Sequence, residues 1–193
     1  MKNVRLLFLA AAMLTLAACY PPTTSHPIGS TVGLKIDPAV LGVWRAPDPD
    51  NHRTIYYHLL SAKDGTIFAV LVPDQGQASD VSMLKLKAAS FGNFGFLNVR
   101  LMMDAEHETP DQPAGSVPIL YRLQPNGTLK IFGLDEDAAK KAINTHKIAG
   151  TTGEGGDGDA VITADAAALD KFFRSPAGLA LFDKLFATLT KVK

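Results

Sequence analysis

Cysteine is almost missing from this chain, with Cys19 the only one among 193 residues. A domain built from the residues after it has no disulfide, no cysteine nucleophile and no thiolate metal site, so packing alone must hold it together. Excess charge is missing too: 19 Lys and Arg stand against 19 Asp and Glu. Nucleic acid is bound through neutralised phosphates, so a balanced chain points away from that partner. No basic tract marks attraction to an anionic membrane surface. The apolar run Leu6 to Ala18 is shorter than the about 20 residues that a membrane-spanning helix needs. No repeat is evident, and no nucleophile elbow: Ser116 follows Gly115, but Val117-Pro118 comes next.

What is present begins at the N-terminus. Lys2 and Arg5 precede the apolar run, and small residues follow it. That order describes a secretory signal peptide. Its ending, Leu16-Ala17-Ala18-Cys19, resembles the lipobox of bacterial lipoproteins. The resemblance implies a diacylglyceryl group on the Cys19 sulfur, cleavage just before it and anchoring in the cell envelope. Tyr20, rather than Asp, follows the cysteine, which in that family favours the outer membrane, facing the periplasm. Each buried CH₂ of such an anchor contributes roughly 0.8 kcal/mol, and more than one chain makes attachment stable. Loss of Lys2 and Arg5 with the signal leaves 17 basic against 19 acidic residues. The expected organisation is a signal peptide over 1–18, a lipidated tether over 19–38 and a single globular domain over 39–193. The tether is inferred from Pro21, Pro22, Pro27, Gly29 and Ser30, which favour turns and extended chain.

Strand signals dominate the domain. Thr54 to Leu60 and Thr66 to Val72 are rich in β-branched and aromatic residues and flank Asp64-Gly65, predicting a hairpin. Val81 to Lys87 reads as a weaker strand with a bulge or register change. Phe91-Gly92-Asn93 reads as a turn, and Phe94 to Met102 alternates as a half-buried strand. Asp104 to Pro118 is acidic and carries three prolines, so it reads as a surface loop. A second hairpin turns at Asn126-Gly127.

The period then lengthens. Asp135 caps a predicted helix with acidic residues first and Lys140 and Lys141 later, in the order that the helix dipole favours. Its thin apolar face is read as Ala138, Ala142 and Ile143. A second helix, Ala166 to Arg174, buries Leu169, Phe172 and Phe173, and Ser175-Pro176 restarts a helical turn. Phe186 to Val192 reads as a last strand. The fold class is therefore α+β: an antiparallel β-meander, a curved sheet or partly closed barrel, with two or three short helices in the C-terminal part.

Gly42-Val43-Trp44 on the first strand resembles the lipocalin-like signature. That resemblance implies a tryptophan near the start of a barrel, beneath a basic residue of the last strand, with Arg100 and Lys191 as candidates.

Catalytic and metal constellations are weak. Gly153, Gly155 and Gly158 fit Gly-x-Gly-x-x-Gly, but Glu154 and Asp157 inside it would repel phosphate. Glu154, Asp157 and Asp159 lack the pattern of an EF-hand loop. Asp104, Glu106, His107 and Glu108 lack the spacing of a zinc site, and His52 and His58 near Asp48 and Asp50 need not converge. Phe91, Phe94 and Phe96 read either as the lip of a cavity or as core around a hairpin. The expectation is a membrane-anchored protein whose domain binds an apolar small molecule or an envelope protein partner, with no cofactor, metal or catalytic residue assigned and Cys19 as the one modified site. The competing expectation is an envelope hydrolase whose histidines and carboxylates converge from distant positions.

Overall fold

The computed structural model describes residues 21–48, 53–62, 65–77, 80–101, 115–153 and 160–193. Eight strands form a closed antiparallel barrel: β2 (Gly42–Pro47), β3 (Thr54–Ser61), β4 (Ile67–Pro73), β5 (Ser82–Phe91), β6 (Phe94–Leu101), β7 (Val117–Leu123), β8 (Thr128–Gly133) and β11 (Lys184–Lys191). Seven follow one another as a meander, and β11 returns after the helices to pair with both β8 and β2. The expected α+β meander is thus present, and its sheet closes completely. A short N-terminal strand β1 (Thr23–Thr24) joins β9 (Gly150–Thr151) and β10 (Val161–Ile162) in a separate small sheet.

Alternation explains the barrel. Along β4, Ile67, Ala69, Leu71 and Pro73 are buried, while Phe68, Val70 and Val72 are half-buried on the other face. The inward residues of all eight strands form one core around Trp44, Leu59, Leu86, Tyr121, Leu129 and Leu189. The hairpin between β5 and β6 turns on two residues, with Gly92 at φ 72, the positive value that a type II′ turn needs at its first central position.

β5 pairs without a register shift with both neighbours, contrary to the expected bulge there. The irregularity falls in β11 instead, between Leu185 and Ala187. Phe186 occupies it, and a Cβ on Gly133 would meet its ring, so this glycine makes room for the phenylalanine.

A second core lies outside the barrel. Helices α1 (Glu136–Asn144), α2 (Ala166–Phe173) and α3 (Pro176–Leu179) begin at Asp135, Asp165 and Ser175, each of which accepts a backbone N–H of the first turn. They cover the outward residues of the sheet, with Phe96 and Leu120 fully buried beside Leu169, Phe173 and Phe182. Phe91, Phe94 and Phe96 stack within this layer, so the aromatic turn is core around a hairpin and not the lip of a cavity. On α1 the buried residues are Ala139, Ala142 and Ile143, not Ala138, because the helix turns one residue further toward the barrel than its thin apolar pattern indicates.

The largest departure from expectation is the segment read as a tether. From Pro22 onward it belongs to the fold. Thr23 and Thr24 pair in parallel with Val161 and Ile162, and Ile28 is 0 % exposed. Asn98, outward on β6 and buried, grips the arm from one side: its Oδ1 accepts the Ile28 N–H at 2.7 Å, and its Nδ2 donates to the Ile28 carbonyl at 3.0 Å. Asp170 of α2 grips it from the other, accepting the backbone N–H of Gly29 at 2.5 Å and of Thr31 at 2.9 Å, and the Thr31 hydroxyl. Gly29 has φ 94 and faces the Ala89 side chain where a Cβ would stand, so no larger residue fits. Proline, glycine and serine here serve a backbone clamped by side chains of the domain, not a free spacer.

Candidate functional site: an end-capped barrel and its cavity

One barrel end is sealed. Asp37 caps a single 3-10 turn, Pro38–Val40, laid across the start of β2. Trp44 is 1 % exposed, and its indole N–H donates to the Val40 carbonyl at 2.8 Å. Lys191, near the end of the last strand, holds its ammonium 5.1 Å from the Trp44 ring centroid and donates to the Ala39 carbonyl at 2.8 Å. Gly42 has φ 117, a backbone conformation that favours glycine, and its Cβ position lies in ordinary contact, 3.5 Å, with the Lys191 Cε. Of the two basic residues considered for a place over Trp44, Lys191 is the one that meets it. Arg100 is exposed on the outer side of β6 and takes no part. A hydrogen-bonded trio completes the seal: the Asp37 N–H donates to Ser90 Oγ at 2.6 Å, and Ser90 Oγ meets the Tyr121 hydroxyl at 2.5 Å. Burial, above all, raises the Tyr121 pKa above the usual tyrosine range.

Toward the other end the core is looser. A partly enclosed cavity of about 120 Å³ is lined mainly by apolar side chains, among them Ile55, Leu71, Leu84, Val99 and Ile131, with Phe186 and Ala187 toward the rim. A cavity of roughly 150 Å³ with similar walls accepts benzene, so this space suits a slim apolar group. Tyr57 contributes the phenolic polar group to the lining. Burial, and secondly the charge of nearby Asp48, pushes its pKa up to about 12, so its hydroxyl stays a proton donor at any physiological pH. Asp48 is itself only 2 % exposed. Around this end Val81, Leu185 and Phe186 are exposed, at 38, 50 and 39 %.

Most of the residues considered for chemistry lie outside the described ones. His58 points outward from β3, on the face opposite to Tyr57, and Gly153 lies outside the strands and helices. His52, His107, Asp50, Asp104, Glu106, Glu108, Glu154, Gly155, Asp157, Gly158 and Asp159 lie outside the described residues, as does Cys19. Among the described residues, no group of three or more His, Cys, Asp and Glu is placed to hold a metal ion. No described helix is long and apolar enough to cross a membrane. The sequence reading missed Tyr57 as a polar group of the cavity, which Ser82 also lines; its place in a β-branched and aromatic run marked a strand, and only the alternation with Tyr56 distinguishes inside from outside.

Sealed end, loose end and meander together define an eight-stranded antiparallel barrel, compatible with a lipocalin-like fold. Comparisons with protein-family models, curated proteins and solved structures give no match for this chain.

Proposed function

We propose that this chain is a lipid-anchored cell-envelope protein, held in the outer membrane through Cys19, whose barrel binds a small apolar molecule without transforming it. The observation that carries the binding part is the partly enclosed apolar cavity with one phenolic donor, Tyr57, in its wall. Its size favours one slim end of a ligand, such as a short aliphatic stretch. Asp48 beside Tyr57 disfavours an anionic head there, so the favoured ligand is uncharged and carries a hydrogen-bond acceptor.

Calorimetric titration tests this with two probes of equal chain length, octanol and octanoate. Octanol is expected to bind more tightly. Ala187→Phe, which fills the cavity from its rim, is expected to weaken octanol binding by at least about tenfold, the scale of one or two lost methylene contacts. Equal binding to a folded Ala187→Phe variant would sink the cavity as the binding site.

The anchor rests on the lipobox resemblance and has its own measurement. Cys19→Ser is expected to abolish incorporation of labelled palmitate and to block maturation of the chain. Normal labelling of that variant removes the anchoring claim while leaving the cavity untouched.

A further inference from the structure

Outside the barrel, β5 and β6 bring three cations together. Lys85 lies directly opposite Arg100 in the register, and Lys87 opposite Asn98, all on the outward face. Opposed residues of an antiparallel pair stand about 5 Å apart at Cβ, and diagonal ones about 7–8 Å, so like charges in this pattern repel. Lys87 is diagonal to Arg100, and all three side chains are exposed. None of them makes a salt bridge among the described residues. An ordinary solvated strand face intersperses opposite charges to relieve such repulsion.

The three cations do not stand on a flat surface. They line a groove of about 470 Å³ with Ser25 and Pro27 of the clamped arm on one side and Gly115 and Ser116 before β7 on another. No carboxylate is among the described residues that line it. Ser25 supplies a further sign: its hydroxyl oxygen is shielded from solvent yet has no hydrogen-bond partner. Buried polar groups are ordinarily paired, so this hydroxyl keeps hydrogen-bonding capacity in the wall of the groove.

We infer that this groove is a phosphate-ester site, separate from the barrel cavity. A phosphate presents several acceptor oxygens around one centre, and a guanidinium matches two of them with its planar fork. Lys85 and Lys87 add two ammonium donors, while the Ser116 hydroxyl in the wall is already paired with Thr24 Oγ1 at 3.4 Å. The groove has the volume of a small-molecule site and exceeds what a bare phosphate fills, so an esterified substituent has room beside Pro27. A free metabolite ester and a phospholipid headgroup both present this chemistry.

The inference does not depend on lipidation, and its test removes that variable by using the full-length chain carrying Cys19→Ser, in detergent. The chain is titrated calorimetrically with glycerol 3-phosphate and, separately, with short-chain phosphatidylglycerol. Both are expected to bind, less tightly as salt rises. Arg100→Ala should weaken both about tenfold, on the scale of one charge-assisted hydrogen bond. Replacing Lys85, Lys87 and Arg100 together should abolish binding, with Trp44 fluorescence verifying the barrel. Tighter binding of phosphatidylglycerol assigns the groove to a lipid headgroup, and equal binding to a free ester. If neither probe binds, or if the folded triple variant binds them as the parent does, the site is refuted. Should the triple variant not fold, Arg100→Ala carries the comparison, and unchanged affinity in it also refutes the site.

Discussion

Asp170→Ala is expected to lower the stability of the domain by about 2–4 kcal/mol, because it strips the acceptor from the buried N–H of Gly29 and from the N–H and hydroxyl of the more exposed Thr31. Asp170 is 1 % exposed, so water does not replace the lost carboxylate at its own position. Asp170→Asn keeps one oxygen of the same shape and should lose clearly less. Urea denaturation gives the magnitude, and hydrogen exchange at Gly29 and Thr31 gives the mechanism. Those amides should exchange far faster in the alanine variant, as the arm over residues 21–36 comes away from α2. A denaturation midpoint equal to that of the parent, with both amides still protected, would show that the clasp is not what holds the arm.

The second large effect is expected at the sealed end. Trp44→Ala should cost about 3–5 kcal/mol, the range for truncating a large buried aromatic residue. The loss has three parts here: the core contacts of the ring, its hydrogen bond to Val40 and the seat of the Lys191 ammonium. Lys191→Met separates the last from the others by keeping most of the aliphatic stem, and should cost about 1 kcal/mol. In Trp44→Ala the Lys191→Met change should then have almost no further effect on the ammonium–ring contact, since that contact is already gone. Thermal and chemical denaturation of the two single variants and the double variant checks this. Fully additive losses would mean that Lys191 stabilises the seam only through its bond to Ala39.

Much of the barrel was legible because its strands obey a local code. Asp64-Gly65, Gly92-Asn93 and Asn126-Gly127 mark turns, and Leu97, Val99 and Leu101 alternate with Asn98 and Arg100. The helix starts at Asp135 and Ser175 were equally plain, since each cap acts within three residues of itself, while the middle helix offered both Thr163 and Asp165, of which Asp165 is the cap. The arm was not legible, for a physical reason. Its order is imposed by Asn98 and Asp170, which are 70 and 141 positions away from the groups they bind, while its own composition carries no periodic apolar face. Asp170 in turn looked like an ordinary polar position of an amphipathic helix, and burial of a carboxylate is invisible without the partner that satisfies it. The basic groove was hidden similarly: Lys85, Lys87 and Arg100 read as the wet faces of two strands, and only their register makes them neighbours. In the cavity, the apolar walls were foreseeable from alternation, but the looseness at one end follows from how side-chain volumes sum across eight strands.

The return of β11 has a consequence for when the chain acquires its shape. The seam that closes the cylinder joins Thr190 to Arg45 and Lys191 to Trp44, with one further bond from the Val192 N–H to the Val43 carbonyl at 2.9 Å. Six of the neighbouring pairs, from β2–β3 to β7–β8, join consecutive strands, whereas β8 meets β11 only across the three helices and the small sheet. The seam alone unites the two extremes of the domain and demands the full loop-closure entropy. Until residue 190 has been made and delivered, β2 and β8 are bare edges carrying unpaired backbone groups, the kind of surface that recruits other chains. Closure of the cylinder thus waits for the most C-terminal strand of the barrel.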